Sequence, residues 1–303
     1  MWLQHFGEGI VDTPSDLGAN GGKPTHPELL DWLASELVEG RETRDERRDP
    51  EVESGHPASA ISPKPLPKDQ GPRTKDPAAP QPSTLNSQPS PWSLKHIHRL
   101  ICLSATYRQS SSPRDDGLAA DATSRLLWRY PPRRLEAESI RDAILAVSGQ
   151  LDRRTGGPGF DLFEPNTNYV KVYNSKRDFT RDDFRRMVYQ NKPRMQLEDT
   201  FGTFDCPDAG QVTPKRTSST TALQALSLLN SPFLLQQSQV FADRVAQATN
   251  PSHETQIQRA FELAYQRAPT GTELQAATQF VEQHGLAMLC RAIYNTHEFV
   301  TVR

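Results

Sequence analysis

Apolar side chains recur three and four positions apart along most of this chain, and short polar clusters mark where each run starts and stops. The clearest case is Arg216–Phe233. Hydroxyl residues from Thr217 to Thr221 supply an N-cap at Thr220 or a neighbour. Leu223, Leu226 and Asn230 then share one helical face, with Leu228 and Leu229 widening the stripe. Ser231-Pro232 ends that helix and starts the next, with Ser231 as cap and Pro232 at the first helical position. Phe233, Val240, Phe241 and Val245 carry the second apolar face to about Ala248. A packed helix pair is the plain reading. The sharper one is that Arg216 and the threonines hold an anion at the helix start.

The same patterning predicts the other elements. A short helix holds Trp2, Leu3, Phe6 and Ile10 and ends near Gly7 or Gly9. A turn-rich loop follows over 13–22, with Asp12, Ser15, Asp16 and Asn20 able to line a site. A helix over about 26–39 opens on a Thr25-x-x-Glu28 capping box. Ser93 caps a helix running to about Tyr107, Asp121–Trp128 forms a short helix, and Arg134–Gln150 a strong one ending at Gly149. On that last helix Leu135, Ile140, Ala143, Ile144 and Val147 face inward, and Glu136, Glu138, Arg141 and Asp142 outward. Tyr169–Tyr173 alternates as a strand does. Thr180–Asp183 opens a helix with Phe184, Met187 and Val188 inward. Helices starting at Ser252, at the Thr270-x-x-Glu273 box and at Leu286 finish the chain, before an extended end at 298–302. The fold class is mainly α: a multi-helix, bundle-like domain with long loops.

Composition changes this picture at one place. Residues 41–53 are mainly charged, and 50–91 hold eleven prolines and no Phe, Trp or Tyr. Such a segment buries too little apolar surface to offset its ordering entropy, so 41–91 reads as a disordered proline-rich insertion between 1–40 and 92–303 of the helical domain. The net charge of −2 gives no reason to expect a nucleic-acid partner. No stretch of 18 apolar residues occurs, so no membrane span is expected. The first residues lack the regions of a signal peptide, so the chain read literally stays in the cytoplasm.

Candidate chemistry is sparse. Cys102, Cys206 and Cys290 lie far apart, with no CxxC and no CxxCH haem site, so no cofactor is expected in this chain. His96 and His98, two apart on a helix, do not face each other. Gly156-Gly-Pro-Gly159 lacks the following Lys-Ser or Lys-Thr of a phosphate loop. Glu198, Asp199, Asp205 and Asp208, crowded around Phe201 and Phe204, have the oxygen-rich chemistry of a hard-cation site without the spacing of a calcium loop. Their other role is to pair with Lys215 and Arg216 or to cap turns.

Several ordered blocks carry a resemblance. Thr25-His-Pro-Glu-Leu-Leu-Asp-Trp-Leu-Ala-Ser-Glu36, Trp92-Ser-Leu-Lys95, Ser104-Ala-Thr-Tyr-Arg-Gln-Ser-Ser111, Arg133-Arg-Leu-Glu-Ala-Glu138, Asp205-Cys-Pro-Asp208, Leu229-Asn-Ser-Pro-Phe233 and Asn295-Thr-His-Glu-Phe299 resemble the planctomycete-specific domain of unknown function fifteen fifty-three. The resemblance covers nearly all of 1–40 and 92–303. It implies export to the periplasm or cell envelope, and an upstream or separate cytochrome-type module that carries the haem. It offers no catalytic residues. Against the family pattern this chain starts inside the domain, and 41–91 is an insertion.

Two functions follow as expectations. One is a binding or scaffolding module of a cytochrome-associated assembly in the envelope. The alternative is a hydrolase or metal-dependent enzyme acting on an extracellular polymer, using carboxylates of the 198–208 loop. The candidate residues are Asp16, His26, Asp199, Asp205, Asp208 and Arg216.

Overall fold

The computed structural model describes residues 1–39, 91–165, 167, 169, 172–248 and 252–302. The expected insertion lies outside the described residues except for Pro91, as do Val170 and Lys171 of the expected strand. Ten α-helices occur among the described residues: α1 (Trp2–Phe6), α2 (Pro27–Glu39), α3 (Leu94–Leu103), α4 (Asp115–Ala120), α5 (Ala137–Ser148), α6 (Ala222–Asn230), α7 (Pro232–Ala248), α8 (His253–Tyr265), α9 (Gly271–His284) and α10 (Leu286–Tyr294). A two-stranded antiparallel ribbon pairs β1 (Arg133–Arg134) with β2 (Thr301–Val302). The fold is mainly α, as the periodicity predicts. The chain divides into two compact units, His26–Ser104 and Met1–Thr25 with Ala105–Arg303.

The larger unit is built on α7, which packs against α5, α6, α8 and α10. Of its predicted apolar stripe, Phe233, Phe241 and Val245 are buried and Val240 is half-buried, and Phe241 stacks 5.5 Å from Tyr294 of α10. Ser231 serves as both stop and start, its backbone carbonyl accepting from Leu235 and its hydroxyl from Leu234. α8 begins at the Ser252 cap and α9 at the Thr270 capping box. Ile140, Ile144, Ile257 and Cys290 close the core from the neighbouring helices.

Five expectations change in this unit, each for a local reason. α6 turns Gln224 and Leu228 inward, leaving Leu223 and Leu226 60 % and 53 % exposed. Asp121–Trp128 is not helical. The Asp121 carboxylate accepts from the Leu126 N–H at 2.7 Å and its carbonyl from the Trp128 indole, so side-chain bonds outcompete the helix. α5 starts three residues later than expected, because Arg133 and Arg134 pair with β2. Arg141, assigned to the outer face of that helix, is fully buried. The segment after Thr180 forms two 3-10 turns, 181–184 and 187–189, which bury Phe184 and Met187 and leave Val188 71 % exposed.

Arg141 explains how the long loops are held. Its guanidinium donates to the carbonyls of Arg185, at 2.8 Å, and Asp183, and it stacks over Phe160 and Phe233. Burial pulls its pKa down to about 10, against the charges of Asp142, Glu198 and Asp183, so it remains a cation at neutral pH. Arg185 in turn donates to the carbonyls of Pro158, Gly156 and Arg154. Arg141 and Arg185 thus tie residues 183–185 and 154–158 to α5, beside the backbone bridges of Asp152 with Arg185 and Phe160 with Gln190.

In the smaller unit α2 packs on α3. Ser93 caps α3, accepting from the His96 N–H. The helix stops at Leu103, short of Tyr107, because the Ser104 N–H and hydroxyl both fold back on the Ile101 carbonyl. His96 Nε2 lies 3.0 Å from the buried Glu36 carboxylate, which makes His96 a partner within the fold.

Candidate functional site

A polar cleft of about 550 Å³ in the larger unit is walled by the end of α1, by β1 and the start of α5, and by loop residues 204–205 and 213–218. Two of the six predicted residues, Asp205 and Arg216, line it.

The cleft is positioned by ladder and turn geometry. Leu135 N–H donates to the Val300 carbonyl at 2.7 Å, extending the pairing of Arg133 and Arg134 with β2. α1 ends at Gly7 in the left-handed region, φ 82°. A side chain there would be strained, and its Cβ would stand 3.3 Å from Arg133 Cδ, so glycine lets the Arg133 stem lie against the helix end. Phe201–Phe204 forms a 3-10 turn with both rings buried, and Asp205 follows at φ 55°.

Three of the predicted carboxylates, Asp16, Asp205 and Asp208, have local partners of their own. Asp205 accepts from Arg134 at 2.6 Å, from the Ser219 N–H at 2.8 Å and from the Ser219 hydroxyl. Burial works to raise its carboxyl, but the Ser219 N–H, Arg134 and the Ser219 hydroxyl outweigh it and hold the group below the ordinary range. Glu198 turns inward and accepts from the Phe201 N–H at 2.7 Å, with burial pushing its carboxyl up. Asp208 accepts from the Gly210 N–H and Asp16 from the Gly18 N–H. Asp16, Asp199 and Asp208 do not line the cleft, and His26 belongs to the smaller unit. Among the described residues no three His, Cys, Asp or Glu side chains come together as a metal site needs.

The partners expected for the acidic loop are different ones. Lys215 approaches Glu8 at 3.8 Å. Arg216 binds Glu138 through both terminal nitrogens, at 2.6 and 3.1 Å, and reaches Glu136 at 3.3 Å. The bond to Glu138 raises the Arg216 pKa. Burial of Glu138 is outweighed by that same bond, so its carboxyl is held low. Behind this pair Lys192 Nζ donates to Cys206 Sγ at 2.9 Å, and the thiol faces Glu138 at 3.6 Å. Burial pushes the thiol pKa up despite the lysine. The helix start is served without Arg216: Thr221 accepts from the Gln224 N–H in a capping box, and Gln224 Nε2 donates to the Thr203 carbonyl at 3.0 Å.

Sequence reasoning passed over Arg133, Arg134 and Lys192. Arg134 and Lys192 act through partners 71 and 14 positions away, which no local pattern shows. The only local signal was the Arg133-Arg134 pair before a helix.

Fold and geometry together define a helical module with a polar cleft braced by fixed ion pairs. The family model described as "Protein of unknown function (DUF1553)" matches residues 1–44 and 85–281, and the chain belongs to that family. No curated protein and no solved structure matches the chain.

Proposed function

We propose that this chain is a non-catalytic binding module of an exported, cytochrome-associated assembly, with the polar cleft as its recognition site. The observation that carries this is the state of the ionisable groups around the cleft. An acid–base or nucleophilic site poises at least one group near neutrality. Here Asp205 is bound by Arg134 and Ser219, Glu138 by Arg216 and the Cys206 sulfur by Lys192, so each is engaged within the protein. Groups locked in that way hold a shape and a charge pattern, which is what recognition uses. Export and the cytochrome partner rest on the resemblance of the sequence blocks to planctomycete relatives.

The test sets binding against turnover. Purified 1–303 is incubated with neutral and acidic polysaccharides, and new chain ends are assayed. Its association with a c-type cytochrome module of a family relative is followed by sedimentation at the haem absorbance. The expected result is no turnover and co-sedimentation. Turnover that disappears in Asp205→Asn or Asp199→Asn would instead establish the polymer-acting hydrolase.

A further inference from the structure

We infer that the cleft takes an oxyanion, a phosphate, sulfate or carboxylate group borne by a small acid, and that Arg133 is its anchor. This deepens the binding-module reading and rests on it.

The charge balance around the cleft is uneven in one place. Arg134 is matched by Asp205, Arg216 by Glu138 and Glu136, and Lys215 by Glu8. Arg133 is a cleft-lining cation whose side chain makes no hydrogen bond or ion pair among the described residues, and it is not exposed. Its Nε is buried without a partner. A half-buried guanidinium without a counter-charge is costly, and an oxyanion offers the planar two-bond match it lacks. Its stem is fixed between the Gly7 backbone and the β-pairing of residue 133, so the fork is pre-oriented. Across the cleft the hydroxyls of Thr217 and Ser218 make no hydrogen bond among the described residues and supply further donors. Asp205 and Glu136, the carboxylates of the lining, are already held by Arg134 and Arg216, so they repel an incoming anion less than free carboxylates would. The site differs from an anion held by Arg216 at the start of α6, because Arg216 and that helix start are both satisfied within the protein.

Thermal unfolding of 1–303 in sodium chloride, phosphate, sulfate and acetate at matched ionic strength tests this. General salt effects stabilise parent and variant alike, so the difference between them is the readout. Phosphate, sulfate or acetate is expected to raise the parent Tm saturably above chloride, and the most effective anion identifies the group. Arg133→Gln, which keeps much of the stem, is expected to weaken that response by about tenfold or more. If the Gln variant does not melt cooperatively in chloride, Lys215→Gln on the exposed rim reads the same site and is expected to weaken binding in the same direction. Equal responses to all four salts, or variant responses equal to the parent's, would overturn the assignment. Turnover of a polymer leaves the anion site standing and defeats the non-catalytic reading. Absence of both turnover and anion response does the reverse.

Discussion

Arg141 is the residue that ties the loop carbonyls of Asp183 and Arg185 to α5. A guanidinium at 0 % exposure is tolerable only because two backbone carbonyls and two aromatic faces receive it. Arg141→Ala leaves the carbonyls of Asp183 and Arg185 without that donor and opens a void beside Phe160 and Phe233. The expected loss is about 3–5 kcal/mol in urea unfolding, enough to unfold a marginal domain. Arg141→Lys is expected to recover only part of it, because an ammonium cannot reproduce the planar fork over both rings. A lysine variant as stable as the parent would show that charge alone matters. Nothing in the sequence singles out this arginine. It sits among Glu136, Glu138 and Asp142 as one more charge on a helix, and its partners lie 42 and 44 positions away.

At the scale of elements, the capping chemistry was legible and the faces were only partly so. Thr221, Ser231, Ser252 and Thr270 announce their helices because a cap is a short-range hydrogen bond, closed within three residues. The inward face of α6 was misread because a polar residue, Gln224, takes a buried place that the apolar pattern assigned to leucines. Gln224 does so by bonding its amide to Thr203 and Ser219, contacts invisible to periodicity. The cleft was half legible for the same reason: Asp205 and Arg216 stand out as charges, but their partners are set by tertiary packing. Gln224→Glu separates these roles. It keeps the acceptor for the Thr221 N–H and places a carboxylate against the Thr203 carbonyl. A loss of about 1–3 kcal/mol is expected at neutral pH. It should shrink in acid, where a protonated side chain donates again. An equal loss at both pH values would assign the effect to packing.

The whole molecule carries an acid-sensitive brace in the larger unit. Arg267 bridges Glu273, in the first turn of α9, and Glu298, beyond α10, at 2.8 and 2.7 Å. The bond from Arg267 pulls the Glu273 pKa from its ordinary 4.5 down to about 2. The unfolded chain therefore takes up the proton first. The contribution is full above about pH 4.5 and is lost as the pH falls through about 2. The three side chains are about a third exposed, so solvent and salt weaken the effect. Melting temperature measured from pH 6 to pH 2 should fall less steeply in Arg267→Ala than in the parent, and the two slopes should converge in high salt. Parallel curves at low salt would remove Arg267 from the acid transition. The β1–β2 ribbon has a consequence of another kind, for synthesis on the ribosome. Arg133 and Arg134 are paired with Val302 and Thr301, so a nascent chain displays both arginines long before their strand partner exists. The cleft comes into being only when residues 301 and 302 emerge, so its walls close after α5 to α10 have been made.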